Sequence, residues 1–175
     1  MGGGSGVGPL ADLAERLAAH PLAPQVVVVC GTNGRLRVVI EALPAARSGA
    51  ITVLGFTHAV DVLLEACDVV VSKAGGLTCS EALVKRAPLV IFRPTPGQEV
   101  GNAEYLESGG AAVHADTLDM VEASVARWIT DPEARERARE AAGRLAKPNA
   151  ALDIARRVLA EIPAAARRAR SQTQK

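Results

Sequence analysis

A chain of 175 residues is long enough for one globular domain with a full core and too short for two of ordinary size. Hydrophobic residues make up 49% of it and aromatics only 2%, so the core is built from Ala, Val, Leu and Ile, which suits a parallel sheet buried under helices. A net charge of +1 excludes a whole-domain electrostatic case for nucleic acid or an anionic membrane, and no apolar run reaches the ~20 residues of a membrane span.

The chain opens on Gly2-Gly3-Gly4-Ser5-Gly6-Val7-Gly8-Pro9, which runs into a predicted helix over residues 10–19. Glycines let a backbone approach a ligand closely and take positive φ. Pro9 suits the first helical position. The free amides of that helix end favour an anion such as a diphosphate. A flexible linker explains the glycines equally well. The spacing matches neither the dinucleotide fingerprint nor the triphosphate loop, whose Lys is missing. A glycine-rich start is no signal peptide, so a cytoplasmic location is the default reading.

Residues 25–30 (QVVVVC) read as a buried strand, followed by the turn Gly31-Thr32-Asn33-Gly34 and a helix over 35–46. A second strand at 51–54 and a short amphipathic helix at 59–66 lead to a third strand at 68–72. After a glycine turn come a helix over 77–86 and a strand at 89–92. A helix at 102–108, a brief strand at 111–113 and helices over 118–130, 132–147 and 150–162 complete the pattern. Strands this apolar, each followed by a helix, predict βα units in a parallel α/β sheet with helices on both faces. One domain over 1–163 and a basic, disordered tail over 164–175 are expected; the tail is open to acidic lipid head groups but reads first as a solvated terminus. Cys30, Cys67 and Cys79 are odd in number and lack metal-ligand spacing, so reduced, buried thiols and no metal site are expected.

Two further segments could carry chemistry. Ser72-Lys73-Ala74-Gly75-Gly76-Leu77-Thr78-Cys79-Ser80-Glu81 joins a strand end to a helix start, where open α/β sheets bind ligands. Its glycines and the amides after them could hold part of a diphosphate. Thr78 and Glu81 share a helical face, so the carboxylate could accept both hydroxyl protons of a ribose. The same Thr-x-x-Glu spacing is also a capping box with Thr78 as cap. Pro94-Thr95-Pro96-Gly97-Gln98-Glu99-Val100-Gly101-Asn102 follows the next strand and reads as a loop on the same rim. Gln98 and Glu99 there suit the hydroxyl groups of a sugar, although a plain surface loop has the same composition. His20, His58 and His114 have no obvious Ser or Cys nucleophile beside them.

In this order, the glycine loop, Gly-Gly-x-Thr-x-x-Glu and Pro-x-x-Gly-Gln-Glu-x-x-Asn resemble the C-terminal domain of a family of GT-B glycosyltransferases. That family includes monogalactosyldiacylglycerol synthase, the bacterial diacylglycerol glucosyltransferases and the N-acetylglucosaminyltransferase of peptidoglycan synthesis. The resemblance covers about residues 2–162 and is strongest over 72–102, in Lys-Ala-Gly-Gly-Leu-Thr and Gly-Gln-Glu-Val-Gly-Asn. It implies a doubly wound, Rossmann-like α/β domain that is the UDP-sugar-binding half of a hexosyltransferase with a lipid acceptor, needing no cofactor beyond the donor substrate. Gly4, Ser5 and Gly6 would face the diphosphate, with Gly76, Leu77 and Thr78 supporting it from the other side. Glu81 would bind the ribose, the backbone of Phe56 the uracil edge, and Gln98 and Glu99 the transferred hexose. Lys73 is a further phosphate candidate.

The resemblance also implies partners. The base that activates the acceptor would lie in an N-terminal acceptor-binding half or partner subunit, so no catalytic residue is expected on this chain. Peripheral contact with the inner face of a membrane fits a lipid acceptor. In the family the glycine loop follows the first strand of the domain, whereas here Met1 directly precedes it. The first strand is central in the doubly wound order, so an open apolar slot flanked by unpaired strands is expected. Two alternatives share the scaffold: the donor-binding subunit of a split N-acetylglucosaminyltransferase acting in trans, and half of a UDP-sugar 2-epimerase.

Overall fold

In the computed structural model, which describes residues 1–6 and 8–161, five strands alternate with helices. The expected tail over 164–175 lies outside the described residues. Strands β1 (Val26–Val29) and β2 (Ile51–Leu54) pair in parallel, with Val26 opposite Ile51 and Val29 opposite Leu54. Strands β3 (Val70–Ser72), β4 (Leu89–Phe92) and β5 (Ala112–Ala115) form a second parallel set in that order.

Their connections are helical. Before β1 lies α1 (Leu10–Ala18), and between β1 and β2 lie α2 (Gly34–Glu41) and α3 (Pro44–Arg47). The remaining helices are α4 (Val60–Ala66), α5 (Gly76–Val84), α6 (Gln98–Ser108), α7 (Leu118–Thr130), α8 (Pro132–Leu145) and α9 (Ala150–Glu161). The single helix expected over 35–46 is two: Pro44 has no amide to continue α2, and it starts α3 instead.

Strand β4 is buried throughout, and its alternation sorts the core into two layers. Leu89 and Ile91 pack with Leu64, Leu83, Leu106 and Ala141 from α4, α5, α6 and α8. Val90 and Phe92 pack on the opposite face with Leu13, Leu17, Val121 and Trp128 from α1 and α7. Helices therefore cover both faces of a parallel sheet, as the sequence predicts. α8 comes close because its inward stripe is Ala134, Ala138, Ala141 and Ala142.

The two strand sets do not pair with each other. β1 and β3 both line a cavity of about 470 Å³, walled by Leu13 and Leu17 of α1 and by Leu63 and Leu64 of α4. This is the slot expected from the doubly wound order. Read across it, the strands run β2, β1, slot, β3, β4, β5. The Met1 amine enters the slot and donates to the Val71 carbonyl at 2.7 Å. Among the described residues no helix is long and apolar enough to cross a membrane. Cys30 and Cys79 are buried and Cys67 half-buried, all three free.

Candidate nucleotide-sugar site

The loops after β1, β2, β3 and β4 share the carboxyl rim of the sheet, beside the slot. The glycine loop lies against the first of them. Thr32 donates to the Gly4 carbonyl from its backbone amide at 2.8 Å and from its hydroxyl at 3.1 Å. Asn33 donates from Nδ2 to the Gly6 carbonyl at 3.2 Å, while its Oδ1 caps α2 by accepting the Leu36 amide at 3.0 Å. The two backbones touch: a Cβ at Gly31 (φ 58°) would collide with the Gly4 carbonyl, and one at Gly6 (φ 55°) with the Cys30 carbonyl. Within the loop, Gly6 donates to the Gly3 carbonyl at 3.1 Å. The amides of Gly4 and Ser5 make no hydrogen bond among the described residues.

The second loop, after β3, reaches its helix sooner than expected. α5 starts at Gly76 with Gly75 as N-cap in extended geometry (φ −66°, ψ 132°), and no side chain caps it. The capping-box alternative for Thr78 and Glu81 therefore falls. A three-residue link spans β3 to α5, and the Gly75 carbonyl already accepts the Cys79 amide at 2.9 Å, so Thr78 sits inside the first turn. Asn102 of α6 pins that link by donating from Nδ2 to the Ala74 carbonyl at 2.9 Å. The amides of Gly76, Leu77 and Thr78 are left without acceptors among the described residues, as the first turn of a helix requires. Glu81 stands on the exposed face of α5, and its carboxylate has no partner among the described residues.

Lys73 joins these pieces. Its Cε lies 4.0 Å from where a Cβ on Gly3 would stand, and its Nζ is 3.1 Å from Glu99 Oε1. The other carboxylate oxygen, Oε2, accepts the Thr95 amide at 2.7 Å. Burial pushes the Glu99 pKa up, but the Thr95 amide and the Lys73 ammonium outweigh it, so the carboxyl titrates below its ordinary 4.5. Its stabilising contribution is present above pH 4.5 and is lost as pH falls through the lowered value. Thermal melts of wild type and Glu99→Gln should accordingly differ near neutrality and converge in acid. A gap that widens in acid would contradict the clamp.

The loop expected to hold Gln98 and Glu99 is the first turn of α6, which begins at Gln98 rather than near residue 102. Gly97 (φ 102°, ψ −127°) makes the early start possible, in a conformation closed to other residues. Gln98 is exposed and its amide has no partner among the described residues, whereas both oxygens of Glu99 are engaged. Phe56, after β2, is 63% exposed and meets His58 edge to face at 5.0 Å. Among the described residues no histidine is hydrogen-bonded to a serine or cysteine: His20 accepts the Leu22 amide, His114 lies 3.3 Å from Asp116 and His58 meets Phe56. Sequence reasoning missed Thr32, Asn33 and Thr95. The Asn33 cap is legible before a helix, but its bond to a loop 27 residues away has no local signal.

Comparison with known proteins decides the assignment. The family model for the glycosyltransferase family 28 C-terminal domain matches residues 1–158. The chain belongs to that family. The family 28 domain is 36% identical over 165 residues to a probable monogalactosyldiacylglycerol synthase 3, chloroplastic, of Oryza sativa subsp. japonica, covering 89% of this chain and 32% of the relative. It is 35% identical over 113 residues to a processive diacylglycerol beta-glucosyltransferase of Bacillus subtilis (strain 168), covering 65% and 30%. The chain thus spans about a third of the length of these relatives. Solved structures share its fold. The glycotransferase of kitacinnamycin superposes with a TM-score of 0.61 at 23% identity, over 79% of this chain and 35% of that one. TarM superposes with 0.58 at 18% identity, over 82% and 30%. The GT-B C-terminal fold is as expected, and the family 28 domain is related to lipid glycosyltransferases.

Proposed function

We propose that this chain binds the UDP-sugar donor of a hexosyltransferase whose acceptor is a diacylglycerol-like lipid. One observation carries the reading. Two groups of amides have no internal acceptors, Gly4 with Ser5 and Gly76 to Thr78, and Lys73, three residues before Gly76, brings its Cε within 4.0 Å of where a Cβ on Gly3 would stand. Such an arrangement suits a diphosphate, with partial positive charge from a helix end and a loop and added charge from a lysine that Glu99 also holds. The acceptor hydroxyl oxygen would bond to the anomeric carbon as the bond to the diphosphate breaks. The electron pair leaves on UDP, where these donors stabilise it. The hydroxyl proton needs a base, which we place in an acceptor-binding half or subunit that works with this chain at a membrane surface.

Calorimetric titration of UDP and of UDP-hexoses into the folded chain tests the donor class. Absence of UDP binding would sink the reading. Gln98 separates sugar from nucleotide: Gln98→Ala should weaken UDP-hexose binding about two- to tenfold, the worth of one hydrogen bond, and leave UDP nearly unchanged. Equal losses for both ligands would remove Gln98 from the hexose pocket.

A further inference from the structure

Three carbonyls of the glycine loop, those of Gly3, Gly4 and Gly6, are engaged by donors of the protein. Gly3 accepts from Gly6, Gly4 accepts twice from Thr32, and Gly6 accepts from Asn33. An unengaged carbonyl oxygen beside a diphosphate would repel it, and a loop free to rotate its peptide planes would present oxygens as readily as amides. Resting on the donor reading above, we infer that Asn33 is a positioning residue for the diphosphate. Together with Thr32 it ties down the Gly4 and Gly6 carbonyls, on either side of Ser5, so that the Gly4 and Ser5 amides are left to face an anion.

Asn33 does this with one amide group serving two elements. Oδ1 holds the first turn of α2 through the Leu36 amide, and Nδ2 holds the glycine loop through Gly6. The loop is thereby registered against the turn after β1, where Gly31 admits the Gly4 carbonyl because it has no side chain. Position 33 combines a helix cap with a loop anchor, and the two roles are chemically separable. Asp and Ser cap helices about as well as Asn, yet neither supplies the Nδ2 donor.

The test compares wild type, Asn33→Asp and the uncharged Asn33→Ser in the full chain, by thermal melt and by titration with UDP and with uridine. Both variants should melt close to wild type and bind uridine as wild type does, while the Kd for UDP rises about two- to tenfold. Thr32→Val, which removes only the hydroxyl donor, should show the same pattern to a smaller extent. UDP affinity equal to wild type in both Asn33 variants would overturn the inference and leave the donor reading standing. Equal losses for UDP and uridine would also overturn it, since position 33 would then support the fold or the base pocket. A wild-type chain that binds no UDP would defeat the donor reading and this inference together.

Discussion

Joining an aliphatic strand to the chain ahead of Met1 should raise its melting temperature and tighten UDP binding in the same experiment. The slot between β1 and β3 is walled by apolar side chains from both helical layers and flanked by two strands that pair on one side only. A strand of four or five residues would bury large aliphatic side chains at ~1.5–3 kcal/mol each and make hydrogen bonds on both edges at ~0.5–1.5 kcal/mol each. Ordering its backbone costs about 1–2 kcal/mol per residue. A surplus of ~3 kcal/mol moves the melting temperature by about 6–12 °C in a domain of this size. Ligand affinity should follow because the strand would anchor the glycine loop, whose Met1 end now enters the slot through the Val71 carbonyl. A strand of equal length with Asp at the inward positions is the control. Equal melting temperatures for the aliphatic and Asp versions would show that the slot is not a strand site.

Replacing Glu81 with alanine should cost the chain UDP affinity and almost no stability. The carboxylate has no partner among the described residues, and Gly75 caps α5 without it. An exposed helical Glu→Ala change of this kind stays within about 0.5 kcal/mol in stability. If the carboxylate accepts two ribose hydroxyls, its loss removes charge-assisted hydrogen bonds worth roughly 1.5–3 kcal/mol, or on the order of 10–100-fold in Kd. Titration of UDP against 2′,3′-dideoxy-UDP gives the second reading. The dideoxy ligand should bind wild type and Glu81→Ala alike. Unchanged UDP affinity in the variant would remove Glu81 from the site.

What the sequence made legible was whatever depends on local pattern. The apolar runs at β1 to β4 and their helical connections follow from composition and period, whereas the doubly wound order and the slot were expected from the family resemblance, in which a strand precedes the glycine loop. Helix starts at glycines were harder. Thr78-x-x-Glu81 satisfies the spacing of a capping box, yet Gly75 captures the cap because the link from β3 is only three residues long. Likewise α6 begins at Gln98, on a Gly97 conformation that residue identity permits but does not announce. Least legible were the ties between loops, Thr32 and Asn33 to the glycine loop and Lys73 to Glu99. They join segments 26 to 28 residues apart and depend on where the rim brings them. Of the site residues named from family resemblance, Lys73 and Glu99 are joined by an ion pair, a tie that no local pattern announces.

The chain contains a single tryptophan, and its position turns the slot into something that can be watched by light. Trp128 is buried on α7 between Val125 and Ile129, two residues of the slot wall, in a cluster that also receives Val26 of β1 and Val71 of β3. The indole does not itself line the slot but packs in the cluster that borders it, so its emission reports on packing next to the seam. Tyr105, the lone tyrosine, is exposed on α6, so selective excitation gives a signal from one indole alone. A strand entering the seam should tighten that cluster and lower the access of acrylamide to the indole. No label is needed to follow occupancy of the seam in real time.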